Sequence, residues 1–143
     1  MDFGLTEEQQ AVRDEVRRFA ENEVAPIAKE YDQEEKYPWE IIDEAAKMGL
    51  TGANIPVEYG GAGYSPLETA VITEELFAVD PGIGLCITST AFGADAIIEF
   101  GTEEQKEEYL TPITEGEAIM GTAISEPDTG SDVSSVSTSA EKD

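Results

Sequence analysis

Apolar positions in the first quarter of the chain recur at helical spacing. Val12, Val16 and Phe19 stand at i, i+4 and i+7 behind Thr6 and Gln9, which read as a capping box. Val24, Ile27 and Tyr31 carry the stripe onward, so the pattern predicts a helix over 6–33 that Pro26 kinks or divides. Pro38 suits the first turn of a second helix over 38–48, with Ile41, Ile42, Ala45 and Met48 on its buried side and Gly49 as its cap. Residues 50–64 lose the periodicity: Asn54, Pro56 and the run Gly60-Gly61-Ala62-Gly63 predict a loop. That run lacks the Lys-Ser/Thr of a phosphate loop and a preceding strand, so it reads as a structural turn.

Ser65 and Glu68 form the next capping box, with Pro66 between them, and open a helix over 65–79. The span 82–100 is apolar on all sides, which predicts a buried helix stopped by Gly101. Thr88, Ser89 and Thr90 interrupt it with three hydroxyls that either bond back to their own helix or line a cavity. Thr102 and Gln105 cap a last helix over 102–115, bent by Pro112. Beyond Glu117 the texture changes. Residues 118–124 are short and uncharged and predict a strand, and 133–140 alternate weakly as a second. The expected class is mainly α, with strand confined to the last quarter.

Charge changes the picture more than size does. The 143 residues hold 32 acidic and 8 basic side chains, for a net charge of −24, spread along the whole chain. Such a surface repels nucleic acid and anionic membranes, and its self-repulsion argues for a salty, halophile-like cytoplasm. A single cysteine, Cys86, excludes an internal disulfide and fits a reducing compartment. With one Cys and no His, a Cys/His zinc site, a Ser-His-Asp triad and a Cys-His dyad are excluded within these residues. The sequence shows neither a signal segment nor a transmembrane run, which predicts a soluble, cytoplasmic protein with no metal.

The candidate chemistry lies in residues 122–132, Thr-Ala-Ile-Ser-Glu-Pro-Asp-Thr-Gly-Ser-Asp. Hydroxyls, a flexible glycine and free backbone N–H groups meet there, as a phosphate or a flat heteroaromatic cofactor requires. A solvated turn, with Ser and Asp satisfying their own backbone, uses the same residue types.

These residues resemble the flavin-binding motif of the acyl-CoA dehydrogenase family. The likeness extends through Leu5-Thr6-Glu7-Glu8-Gln9, Met48-Gly49-Leu50, Ile55–Gly63, Ile72–Leu76 and Gly101–Lys106, in the family's order. It implies an up-and-down helical N-terminal domain over 1–116 and the opening of a β-domain over 117–143. It also implies FAD as cofactor, an acyl-CoA substrate, an electron-transfer flavoprotein-type acceptor and a homo-oligomer, commonly a tetramer.

By the same resemblance Thr122, Ile124 and Ser125 meet the flavin ring, and Gly130 and Ser131 meet the FAD pyrophosphate. Ser131 also lies near the substrate thioester and its CoA part. Thr88 and Ser89 sit on the helix that borders the acyl chain. Asp128 and Thr129 depart from the family's more frequent Gly and Ala, and Ser125 replaces a commoner Thr. The family's catalytic glutamate, which removes the α-proton while flavin N5 takes the β-hydride, comes from a C-terminal helical domain and has no counterpart here. Glu74, Glu75 and Glu99 read as surface carboxylates, and no catalytic residue is expected in these 143. The resemblance thus implies a truncated, split or fragmentary dehydrogenase chain. A non-catalytic helical assembly module is the alternative, and flavin oxidases and monooxygenases share the same helices.

Counterion screening should relieve repulsion among carboxylates balanced by only eight cations. Helicity and melting temperature, followed by circular dichroism, are expected to rise as KCl increases from about 0.1 M to 2 M. Equal values at both ends contradict that reading.

Overall fold

A computed structural model describes residues 4–141. Helix α1 (Glu7–Phe19) begins at the expected capping box: Thr6 Oγ1 accepts from Gln9 N at 3.2 Å, and Gln9 Oε1 accepts from Thr6 N at 3.0 Å. A π-helical segment, Ala20–Val24, joins it to α2 (Ala25–Glu34). Pro26 supplies no N–H to the ladder and its ring crowds the turn before it. The wider turn, in which Ala25 N–H reaches back to Ala20 O, absorbs both effects while keeping Ala20 and Val24 fully buried.

Helix α3 (Trp39–Lys47) buries Ile41, Ile42 and Ala45 and ends at Gly49, whose φ of 74° is left-handed. The following loop is held by its own backbone: Gly63 N donates to Ile55 O at 2.9 Å and Tyr64 N to Ala53 O at 2.7 Å. A Cβ on Gly61 would lie 2.0 Å from Ile55 O, so the glycine run is a close-approach turn. Helix α4 (Pro66–Val79) starts at the Ser65–Glu68 box.

The long apolar helix expected over 82–100 is two helices, α5 (Pro81–Thr88) and α6 (Ala94–Phe100), separated by a turn. Thr90 causes the break. Its carbonyl accepts from Met120 N at 2.8 Å, and its buried hydroxyl lies 2.8 Å from both Thr51 O and Ile87 O. Helix α7 (Glu103–Thr114) tolerates Pro112 inside its last turn.

The strands expected over 118–124 and 133–140 are not formed among the described residues. One isolated parallel bridge joins Ala91 to Met120, and one antiparallel bridge joins Glu126 to Thr129. Val133–Ser135 is a short 3-10 turn. Single bridges without a neighbouring ladder do not sustain a strand.

Two clusters fill the interior. Val16, Phe19, Ile42, Ile72, Leu76 and Ile87 centre the larger one, where α1 packs along α4 and α4 along α5. Ile55, Tyr59, Ala94, Leu110 and Ile113 form the smaller one between α6, α7 and the central loop.

Between α1 and α4 lies a carboxylate that the sequence placed on the surface: Glu75 is 3% exposed. Arg13 Nε donates to its Oε1 at 2.7 Å, Arg17 Nε to its Oε2 at 2.7 Å and Arg17 Nη2 to its Oε1 at 2.9 Å. Gln9 Nε2 adds a bond to Glu68 Oε1 at 2.8 Å, so the two capping boxes touch and the helices run side by side in the same direction. Burial alone would raise the Glu75 pKa, but the hydrogen bonds and charges of Arg17 and Arg13 outweigh it and leave it below its ordinary 4.5.

Glu75→Ala is therefore expected to cost about 2–3 kcal/mol in chemical denaturation, below the usual penalty for breaking a buried pair. The reason is that Arg13 and Arg17 side chains are already 33% and 46% exposed and can return to water. Because the folded carboxyl titrates below its unfolded value, the clamp's contribution is complete above about pH 4.5 and disappears as pH falls through the lower folded pKa. The wild type should thus lose stability relative to Glu75→Ala only on the acid side.

Candidate functional site

Residues 118–122 are tied to the turn between α5 and α6 at two points. Met120 N donates to Thr90 O at 2.8 Å, and Thr122 Oγ1 donates to Phe92 O at 3.0 Å. Gly93 permits the approach, since a Cβ there would lie 2.8 Å from Met120 Cγ. The fold thereby brings the start of the 122–132 segment beside the turn that follows Thr88 and Ser89.

Beyond Thr122 the segment faces outward. Ile124 is 49% exposed, and Ser125, Gly130 and Ser131 are exposed. Gly130 and Ser131 make no hydrogen bond to another described residue, nor does the Ser125 hydroxyl, and a Cβ on Gly130 would meet nothing within 4 Å. Unused N–H and O–H donors around an open glycine fit a phosphate-bearing, flat cofactor.

The neighbouring carboxylates are differently committed. Glu126 Oε2 accepts from Ser137 N and Ser137 Oγ, each at 2.9 Å, and its Oε1 accepts from Thr138 N at 2.7 Å and from Thr138 Oγ1. Those four donors, the Thr138 hydroxyl foremost, pull its pKa down to about 2. Asp132 accepts from the Ser134 and Ser135 hydroxyls at 2.5 Å, which also lowers its pKa. The motif itself gave no hint of the Glu126 partners, which lie 11 and 12 residues away in a Ser/Thr-rich stretch.

Thr88 is bonded back to its own helix, its Oγ1 donating to Gly84 O at 3.0 Å. It also borders an internal cavity of about 30 Å³, shared with Thr51, Asn54, Thr69, Ile72 and Ala91. That space suits one water. Thr51 Oγ1, buried there, has no partner among the described residues. Ser89 is half-buried at the end of α5, and its N–H donates to Leu85 O at 2.9 Å.

A larger cleft, about 660 Å³, lies elsewhere, among Asn54, Tyr64, Thr69, Thr73, Glu74 and Asp95. Its two carboxylates disfavour an anionic CoA or flavin phosphate. No group of three His, Cys, Asp or Glu side chains among the described residues is arranged to hold a metal, and no helix is long and apolar enough to cross a membrane.

The profile of the acyl-CoA dehydrogenase N-terminal domain matches residues 6–117, well over half of the chain. The chain belongs to the acyl-CoA dehydrogenase family. It is 44% identical over 133 residues to the short-chain-specific acyl-CoA dehydrogenase of Clostridium acetobutylicum, covering 92% of this chain and 35% of that one. It is 39% identical to an acryloyl-CoA reductase (NADH) of Anaerotignum propionicum, covering 98% of this chain and 36% of that one.

Among solved structures, butyryl-CoA dehydrogenase of Megasphaera elsdenii superposes with a TM-score of 0.80 at 37% identity, over 94% of this chain and 36% of that one. A chain in a structure described as the electron transferring flavoprotein of Acidaminococcus fermentans gives a TM-score of 0.84 at 40% identity, over 94% and 36%. The residues thus span about a third of the length of these acyl-CoA dehydrogenase relatives, and the match confirms the helical class expected of the sequence.

Proposed function

We propose that residues 1–116 are the helical N-terminal domain, and 117–143 the opening of the flavin-binding β-domain, of an FAD-dependent acyl-CoA dehydrogenase. The observation that carries this is the exposed loop at 122–132, with the Ser125, Gly130 and Ser131 donors unused among the described residues, anchored at Thr122 to a helical frame of that family. When bound, FAD supplies the hydride acceptor for α,β-dehydrogenation of an acyl-CoA thioester.

The chain's own residues bind and orient. The Thr122 and Ile124 backbones and the Ser125 hydroxyl would hold the pyrimidine edge of the ring, a fixed electrostatic arrangement of the oxyanion-hole kind, with the Thr122 hydroxyl itself committed to Phe92 O. Gly130 and Ser131 would offer N–H and O–H groups to the pyrophosphate, with Ser131 also near the thioester by family likeness. Ser89 and the α5 end carrying Thr88 form one border for the acyl chain. Thr88 does so through its methyl group, its hydroxyl being bonded to Gly84 O.

None of these residues takes the α-proton. Glu74 and Glu99 are exposed helix carboxylates, and both Glu75 oxygens are occupied by arginine donors, whereas a general base needs a lone pair facing the substrate. By family likeness the base comes from a C-terminal helical domain, and the adenosine contacts and the opposite flavin wall come from other parts of the family's fold. An electron-transfer flavoprotein-type acceptor, homo-oligomeric assembly and a cytoplasmic setting complete the proposal, and each comes from family likeness.

The test is co-expression with a polypeptide carrying the remaining two-thirds of the Clostridium acetobutylicum relative. A yellow complex that reduces dye with a short acyl-CoA is expected. Ser125→Ala with Ser131→Ala should weaken its FAD affinity about tenfold or more, as loss of two hydrogen bonds implies. A soluble but colourless complex favours the assembly-module reading. Stoichiometric FAD and dye reduction by the isolated chain overturn the view that it forms only one wall of the site.

A further inference from the structure

Glu126 lies inside the proposed flavin loop, yet both its oxygens are taken up within the protein. Four donors from Ser137 and Thr138 converge on them. Its own backbone closes the turn below: Glu126 N donates to Thr129 O at 2.8 Å and Thr129 N to Glu126 O at 3.1 Å. One further bond ties the same turn to the returning chain, and another closes a turn within that chain. Thr129 Oγ1 donates to Ser135 O at 3.3 Å, and Ser135 N donates to Asp132 O at 3.1 Å. The segments 126–129 and 132–138 are thus two fixed posts, and Gly130-Ser131 is the short span between them.

We propose that Glu126 is a positioning residue that presets the Gly130-Ser131 span for the FAD pyrophosphate by fastening its turn to Ser137 and Thr138. This rests on the flavin reading of residues 122–132. A two-residue span containing glycine has many backbone conformations when its ends are loose, and ordering it on binding weakens affinity. Fastening both ends beforehand removes most of that cost.

The arrangement also answers how an acid sits beside a phosphate site. Two backbone N–H dipoles and two hydroxyls surround the Glu126 carboxylate, so its charge is compensated locally. The other charged groups on these segments are Asp128, exposed on the turn, and Asp132, engaged by Ser134 and Ser135.

The chemistry demands a carboxylate of this length. Glutamine would turn an NH2 group towards either the Ser137 or the Thr138 N–H, donor against donor. Aspartate is one methylene too short to reach both residues from the same backbone.

Amide hydrogen exchange of the 143-residue chain in high KCl reads the fastening without any cofactor. The Ser137 and Thr138 amides are expected to exchange at least tenfold faster in Glu126→Gln and Glu126→Ala than in the wild type. Amides of α1 and α4 and the melting temperature should not change. In the co-expressed FAD complex, both variants should raise the FAD dissociation constant at least tenfold while the melting temperature of the cofactor-free chain stays unchanged, a split that a merely structural role would not produce.

Unchanged Ser137 and Thr138 exchange in Glu126→Gln overturns the proposal, as does unchanged FAD affinity after protection is lost. A wild-type complex that takes up no FAD overturns the flavin reading and the positioning role with it. That outcome is told apart by an exchange difference between wild type and variants that persists in the isolated chain.

Discussion

One carboxylate held by two guanidinium groups sets the geometry from which the remainder of the fold is hung. Glu75 on α4 takes both Arg13 and Arg17 of α1, and the register it fixes places Val16 and Phe19 against Ile72 and Leu76. Helix α4 then carries α5, and the turn after α5 carries the start of the 122–132 segment. Arg13 and Arg17 stand one helical turn apart, so a one-turn slip of α1 would keep one guanidinium at Glu75 and lose the other, leaving a buried charge half-compensated. Two of only eight cations in a strongly acidic chain are committed to this contact. Glu75 heads the groups that push the Arg17 pKa up, and Glu21 and Asp14 add to it.

The elements most legible in the sequence are those whose signals are local. Thr6 with Gln9, Ser65 with Glu68 and Thr102 with Gln105 each mark a helix start from a spacing of three residues, and all three helices begin there. What escaped was set over distance. The break between α5 and α6 depends on a Thr90 carbonyl claimed by Met120, thirty residues on. The strand character of 118–124 needs a neighbouring ladder that the described residues do not offer. Glu75 left a trace, for it stands four after Val71 and three after Ile72 on the buried face of α4, but its arginines lie 58 and 62 residues away.

The candidate site divides in the same way. Which residues form the motif could be read from their order, and their exposure with unused donors accords with a surface awaiting a ligand. The commitment of Glu126 to Ser137 and Thr138 is tertiary and had no sequence signal. Thr88 illustrates the converse. The resemblance assigns it to the acyl-chain border, while its hydroxyl is back-bonded and the space beside it is sized for about one water. The chain covers roughly a third of the length of its relatives.

Residue-resolved native-state hydrogen exchange in high KCl, repeated at graded denaturant, tests the central claim most directly: a helical frame locked at Glu75 carries an open loop tethered at Thr122. Amides of α1 and α4 are expected to open together, in one cooperative unit with the highest free energy in the chain. Residues 123–125 and 130–131 should exchange close to the unprotected rate, with protection returning at Ser137 and Thr138. Independent opening of α1 and α4, or protection of 123–125 equal to that of α4, would contradict the account.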